Sequence, residues 1–268
     1  MPQTRLEHLI SVVGLEGSRI SDLTHKMNID ADAVICDQCS ADGYIEYTYI
    51  SQNVESHDVR CYIMADRGVG LSRNTVLMHA RAELCLFGDD DIVYDDGYLD
   101  KVIAEFDAHP EADMLLFNVR QSEGRQTYEN TGFGRIKWYN YGRYPAYAIG
   151  FRRDALLKSG VMFSLLFGGG ARYSNGEDSL FLHDALKKKM RIYKTSTVIG
   201  KEENRKSTWF SGYTDKFFID RGILYKYLYG CLAKAFAFRF LLKNQNEMCR
   251  DKSLKECYML MKKGIQEA

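Results

Sequence analysis

Short apolar runs alternate with helical patterns through the first half of the chain. Leu9–Gly14 (LISVVG) reads as a strand, Ile20–Met27 as a short helix, Ala33–Cys36 (AVIC) as a second strand and Val59–Ala65 (VRCYIMA) as a third. After the Gly68-Val69-Gly70 loop, Ser72 stands as the N-cap of a helix through about Ala82, with Val76, Leu77 and Ala80 on its apolar side. Leu84–Phe87 (LCLF) is a further strand, and it runs straight into Gly88-Asp89-Asp90-Asp91. Strands alternating with helices predict an α/β fold with a mostly parallel sheet, whose ligands bind beyond the carboxyl ends of the strands. Past Trp209 the pattern changes. Phe217–Lys243 is aromatic and apolar, interrupted by Lys226, Lys234, Arg239 and Lys243, and Leu254–Ile265 reads as a final amphipathic helix. This divides the chain into an α/β unit over 1–208 and a helical extension over 209–268.

With 46% hydrophobic and 27% charged residues in 268, the chain can bury a sizeable core. Lys+Arg and Asp+Glu both total 36, so no bulk field attracts nucleic acid, and specificity must come from local sites. The opening residues lack a basic, apolar and small-residue succession, so the chain is expected to start at Met1 and to be cytoplasmic. No uncharged apolar stretch reaches the roughly 18 residues of a membrane span. The seven cysteines are odd in number and scattered, which suits reduced thiols. The lone Cys36-x-x-Cys39 lacks a second ligand pair for zinc.

Three aspartates at the end of a buried strand sit where a ligand is expected. Adjacent carboxylates repel one another, and holding them ionised in a partly dry cleft favours a cation. Mg²⁺ or Mn²⁺ is commonly held by one or two carboxylates, with positions left for phosphate oxygens. A solvated acidic turn is the plain alternative. A second acidic segment follows in NGEDSLFLHDALKKK, where Asn175-Gly176 turns the chain and Glu177-Asp178 open a helix. Helix capping accounts for one of those acids. Upstream, Gly168-Gly169-Gly170 and Arg172, Tyr173 and Ser174 suit a loop that faces substrate.

The ordered set GLSRN (Gly70–Asn74), FGDDDI (Phe87–Ile92), AIGFRRDAL (Ala148–Leu156) and FGGGARYSNGEDSLF (Phe167–Phe181) resembles the family-2 inverting glycosyltransferases with the Rossmann-like GT-A fold. The likeness covers roughly Leu9–Phe210 and points to bacterial enzymes of cell-surface polysaccharide synthesis. It implies a nucleotide-diphosphate sugar as donor and a saccharide or polyprenyl-linked acceptor. Asp89 and Asp91 fall on the DxD motif that holds ribose and the diphosphate-bound Mn²⁺ or Mg²⁺, and Asp90 between them joins the donor contacts. Asp178 falls on the general base, with Glu177 fixing its loop. Ser72, Arg73 and Asn74 fall on the nucleotide pocket and Asp37 on the acid that contacts the base. The sequence departs from the family at Asp37-Gln38-Cys39-Ser40, at Gly14-Leu15-Glu16-Gly17, and at Gly200-Lys201-Glu202-Glu203, where relatives often carry a metal-binding His. Glu202 or Glu203, or water, is left to complete the metal there.

Such a reaction needs no covalent nucleophile, and no Ser/His/Asp or Cys/His arrangement argues for one. The aromatic, basic stretch Gln126–Tyr147, with Trp138, Tyr139, Tyr141, Arg143 and Tyr147, is expected on the acceptor side or in the core. Arg67, Arg120 and Arg135 read as solvated surface groups or as further contacts there. Phe217–Lys243 is expected to lie in a membrane interface, to pack on the catalytic unit or to form a dimer contact. A metal-dependent nucleotidyltransferase, a phosphatase and a non-catalytic nucleotide-sugar-binding scaffold remain as alternatives.

Overall fold

The computed structural model describes residues 5–15, 20–121, 126–203 and 212–268. The expected boundary at 208–209, and Glu16, Gly17, Trp209 and Phe210 of the segments above, lie outside the described residues. The first apolar run forms β1 (Leu6–Val13), and α1 (Ile20–Lys26) and β2 (Asp32–Gln38) follow. Then come β3 (Gly43–Ile50), β4 (Ser56–Met64), α2 (Val69–Met78), β5 (Leu84–Asp89), β6 (Ile92–Tyr94), α3 (Tyr98–Ala108) and β7 (Met114–Arg120). The second half adds β8 (Gly134–Arg135), β9 (Ile149–Arg152), α4 (Arg153–Ser159), α5 (Glu177–Lys187) and β10 (Ile192–Glu202). The extension is α6 (Asp215–Tyr229), α7 (Ala233–Met248) and α8 (Leu254–Glu267).

The ten strands make one sheet in the order β3-β4-β2-β1-β5-β9-β7-β10-β6, with β8 paired to β10. β4, β2, β1 and β5 run parallel, and so do β7 and β10. Because β9 lies antiparallel to both β5 and β7, the two groups point the same way. β1, β2, β5 and β7 are buried along nearly their whole length, which is why AVIC of β2 and LCLF of β5 read as continuous apolar runs. The sheet is mostly parallel and flanked by helices, as a GT-A fold requires.

Two elements differ from expectation. β3 was assigned nothing in the sequence; its alternation suits a half-exposed edge strand antiparallel to β4. α2 starts at Val69 after Gly68, not at Ser72. The Val69 amide is satisfied by the Gly169 carbonyl at 2.9 Å, so the helix needs no serine cap. Ser72 is wholly buried, its hydroxyl bonded to Ser11 Oγ at 2.9 Å and reaching the Cys36 carbonyl at 3.4 Å.

The aromatic, basic stretch Phe217–Lys243 is two helices, not one. The chain turns at Gly230, which has φ 54, and the two halves have different surroundings. Phe217, Phe218, Ile223 and Leu224 of α6 are buried, the last two against Phe167 and against Leu180 of α5. α6 is therefore a packing helix. On α7 the side chains of Phe238, Arg239, Leu242 and Lys243 face outward beside exposed Leu232. Among the described residues, no helix is long and apolar enough to cross a membrane.

Candidate active site

The strand register brings the first group of acids to one edge. Ser11 of β1 pairs with Asp89 and Val12 with Asp37, so both aspartates sit at the carboxyl ends of parallel strands. From the opposite side α5 begins at Glu177, behind Gly176. The turn is shaped by close packing: a Cβ on Gly176, at φ +109, would stand 2.4 Å from Leu224 of α6. The glycine run expected to face substrate has a similar task. A Cβ on Gly168, at φ +105, would meet Val69 at 2.5 Å and the Glu177 carboxyl carbon at 2.9 Å. Gly168 thus lets the loop pack closely between α2 and α5, while Gly169 and Gly170 reach the surface.

Arg73 of α2 joins the two acidic motifs. Its Nη2 donates to Asp89 Oδ1 at 3.0 Å and Oδ2 at 3.2 Å, while Nη1 donates to Asp178 Oδ1 at 2.7 Å and Glu177 Oε1 at 3.3 Å. The Arg73 side chain is only 5% exposed, against 27% for Asp89 and 24% for Asp178, so the carboxylates border the cleft and the cation lies behind them. Burial opposes the Arg73 charge, but Asp89, Asp178 and Glu177 more than offset it and hold the guanidinium firmly protonated. Phe163 lies beneath it, 5.3 Å from guanidinium carbon to ring centroid. Asn74 clamps Phe163 in turn, donating to its carbonyl at 2.9 Å and accepting from its amide at 2.8 Å.

Asp178 does not cap its helix; no side chain caps the start of α5. Burial pushes its carboxyl up to about 7; Arg73 opposes the rise, Glu177 and Asp89 add to it, and the Ala146 amide counteracts it. Asp91 is raised to about 7 as well, first by burial and then by Asp89, Asp90 and Glu202. A divalent cation would relieve the repulsion among these acids, and carboxylate oxygens are the donors such an ion takes, although no three of them bring ligand atoms within 4.8 Å of one another. Of the two alternatives at the end of β10, Glu202 pairs with Ile92 beside Asp91, and Tyr147 donates to its carboxylate at 3.4 Å. The Glu203 carboxylate is held by Lys26 at 2.6 Å, while its amide donates to the Asp91 carbonyl at 2.7 Å.

The remaining expected residues have inward-facing bonds. Asp37 is fully buried, accepting from the Leu15 amide at 3.0 Å and the Cys39 thiol at 2.9 Å. Ser72 and Asn74 fix the position of α2 and Phe163, as described above. In the aromatic stretch, Tyr141 and Tyr147 are buried, whereas Trp138 and Tyr139 are 69% and 63% exposed and meet edge to face. Gly142 of the same loop adjoins α5, its carbonyl 3.5 Å from Ser179 Oγ. Ala146 and Phe163 are supports the sequence did not reveal; each acts across a long chain separation, with no local signal. None of the seven cysteines is in a disulfide.

Among the described residues, Asp30, Glu55 and His57 are the group that brings three metal-type ligand atoms within 4.8 Å of one another. They lie at the other end of the sheet, since β1 meets Asp32 at Glu7 and Asp89 only at Ser11. Asp30 is already bonded there by Asn53 and His57.

Residues 20–167, more than half of the chain, match the family described as Glycosyl transferase family 2. No curated protein matches the chain. Among solved structures, S. aureus TarS 1–349 in complex with UDP is similar at a TM-score of 0.61 and 17% identity, over 92% of this chain and 74% of that one. The same protein in complex with UDP-GlcNAc gives 0.58 and 18%, over 93% and 74%. The mannosyltransferase PcManGT from Pyrobaculum calidifontis, in complex with GDP-Man and Mn²⁺, gives 0.50 and 15%, over 99% and 75%. At these identities the likeness establishes the fold.

Proposed function

The chain belongs to glycosyl transferase family 2, and we propose that it moves a sugar, with inversion, from a nucleotide-diphosphate donor to an acceptor hydroxyl in cell-surface polysaccharide synthesis. The observation that carries this reading is the meeting of Asp89 and Asp178 at one guanidinium. It sets an acidic strand end and an acidic helix start on one cleft. Asp91 and Asp89, with Glu202, would hold Mn²⁺ or Mg²⁺, which would neutralise charge on the departing diphosphate. Asp178 takes the proton of the acceptor hydroxyl as its oxygen attacks the anomeric carbon from the face opposite the diphosphate. The new C–O bond forms as the bond to the diphosphate oxygen breaks, so one displacement inverts the centre. Glu177 holds the turn that presents Asp178. Asp90 is assigned to the donor side, fully buried Asp37 to holding the Leu15 turn beside it, and exposed Trp138 and Tyr139 to the CH faces of a saccharide acceptor. Seven cysteines, none of them in a disulfide, suit a reducing, cytoplasmic location.

The test is a thermal-shift and turnover screen of uridine-, guanosine- and thymidine-diphosphate sugars with Mn²⁺. One base class should stabilise the protein and be consumed when acceptor is supplied. A panel in which nothing binds and nothing turns over would overturn the reading. Stabilisation without consumption would instead favour the scaffold alternative.

Attachment to a membrane surface is assigned to α7 alone, through Leu232, Phe238 and Leu242 flanked by Lys234, Arg239 and Lys243. Flotation with anionic vesicles is expected at low salt and should weaken as salt screens the basic groups. Phe238→Ser with Leu242→Ser should abolish it. Equal flotation of that variant, or none by the wild type, rules α7 out as the anchor.

A further inference from the structure

We infer that Arg73 is the positioning residue of this site, orienting Asp178 for proton abstraction and setting its distance from Asp89, and is not a donor ligand. The inference rests on the transferase reading above. Its basis is geometric. The two Nη atoms point to opposite motifs, Nη1 to Asp178 and Glu177 and Nη2 to Asp89. The side chain lies behind the carboxylates and is almost wholly buried, so a diphosphate in the cleft meets the acids before it meets the cation.

The guanidinium is fixed from beneath as well. Asn74 grips the Phe163 backbone through both amide atoms, and the Phe163 ring carries the cation. Phe163 also stacks on Phe181 of α5, with centroids 4.1 Å apart and planes within 6°. Cation, ring and catalytic helix thus form one packed unit. Only a planar fork reaches both motifs at once, because an ammonium is a point charge without two separated, coplanar donors. Arg73 Nε has no partner and is buried, so the side chain is held by its two ends and the ring rather than along its stem.

The experiment uses the full chain and the nucleotide sugar that the wild type consumes, with UDP and GDP as binding probes in Mn²⁺. If the wild type binds neither and consumes nothing, the transferase reading fails, and that outcome is separate from this test. Given an active wild type, Arg73→Lys should lower kcat about 30-fold or more while nucleoside-diphosphate affinity stays within about threefold. Adding Arg73→Lys to Asp178→Asn should cost far less than it costs alone, because the two substitutions remove one function. If Arg73→Lys fails to fold by circular dichroism, Asn74→Ala carries the test. It loosens Phe163 without touching a carboxylate, and the same loss of kcat at unchanged affinity is expected. A loss of affinity with kcat retained would make Arg73 a donor ligand and overturn the inference, as would unchanged kinetics or full additivity with Asp178→Asn.

Discussion

Asp178→Asn should reduce turnover by roughly 10²-fold or more while leaving donor affinity within about threefold. Asparagine keeps the size of the side chain and can still accept a bond from Arg73, but it cannot take a proton from the acceptor. The competing account, that Asp178 caps α5, predicts near-normal turnover, because asparagine is itself a good cap. The geometry is against that account: the carboxylate is directed to Arg73 Nη1 at 2.7 Å, and no side chain caps the helix. Steady-state rates of the purified variant decide between them, and a rate near that of the wild type would remove Asp178 as the base and the mechanism with it.

The same carboxyl gives the reaction a pH dependence of definite sign. A base works only when ionised, and burial raises Asp178 to about 7. Turnover should therefore rise as pH increases through about 7 and fall towards tenfold per unit well below it. Asp178→Asn should flatten that limb of the profile, leaving whatever dependence other groups contribute.

The parts of this site that were legible in the sequence are those whose chemistry is contiguous. Asp89-Asp90-Asp91 and Glu177-Asp178 stand out because crowded carboxylates need a reason, and buried strands such as β2 and β5 announce themselves as unbroken apolar runs. What was misread depends on partners far away along the chain. Ser72 looks like a helix cap because serine favours that position, yet its hydroxyl partner is Ser11, 61 residues away. Arg73, which the resemblance places on the nucleotide pocket, was not misread but incompletely seen, since its bonds to Glu177 and Asp178 span 104 and 105 residues. Phe217–Lys243 has the same composition whether it faces lipid or protein, and only the packing of Ile223 and Leu224 on Phe167 and Leu180 separates α6 from α7. β3 was passed over because a half-exposed edge strand leaves no apolar run to find.

Asp91→Asn is expected to abolish the Mn²⁺-dependent part of nucleoside-diphosphate binding without harm to the fold. The half-buried Asp91 carboxyl is raised to about 7, first by burial and then by the charges of Asp89, Asp90 and Glu202. A neutral amide of the same shape removes one repelling charge, so the metal-free variant should melt at the wild-type temperature or above it. It also removes an anionic oxygen of the kind Mn²⁺ and Mg²⁺ prefer. Altering even the groups that orient metal ligands typically costs about 10- to 100-fold in metal affinity, so loss of a ligand should cost at least that. Calorimetry with UDP and GDP, each with Mn²⁺ and with a chelator, measures the difference. The wild type should bind one of them far more tightly with the metal than without, and the variant should bind it equally weakly in both. Retention of the full metal effect in Asp91→Asn, with the melting temperature unchanged, would move the cation away from the strand end and leave the three aspartates as an acidic turn.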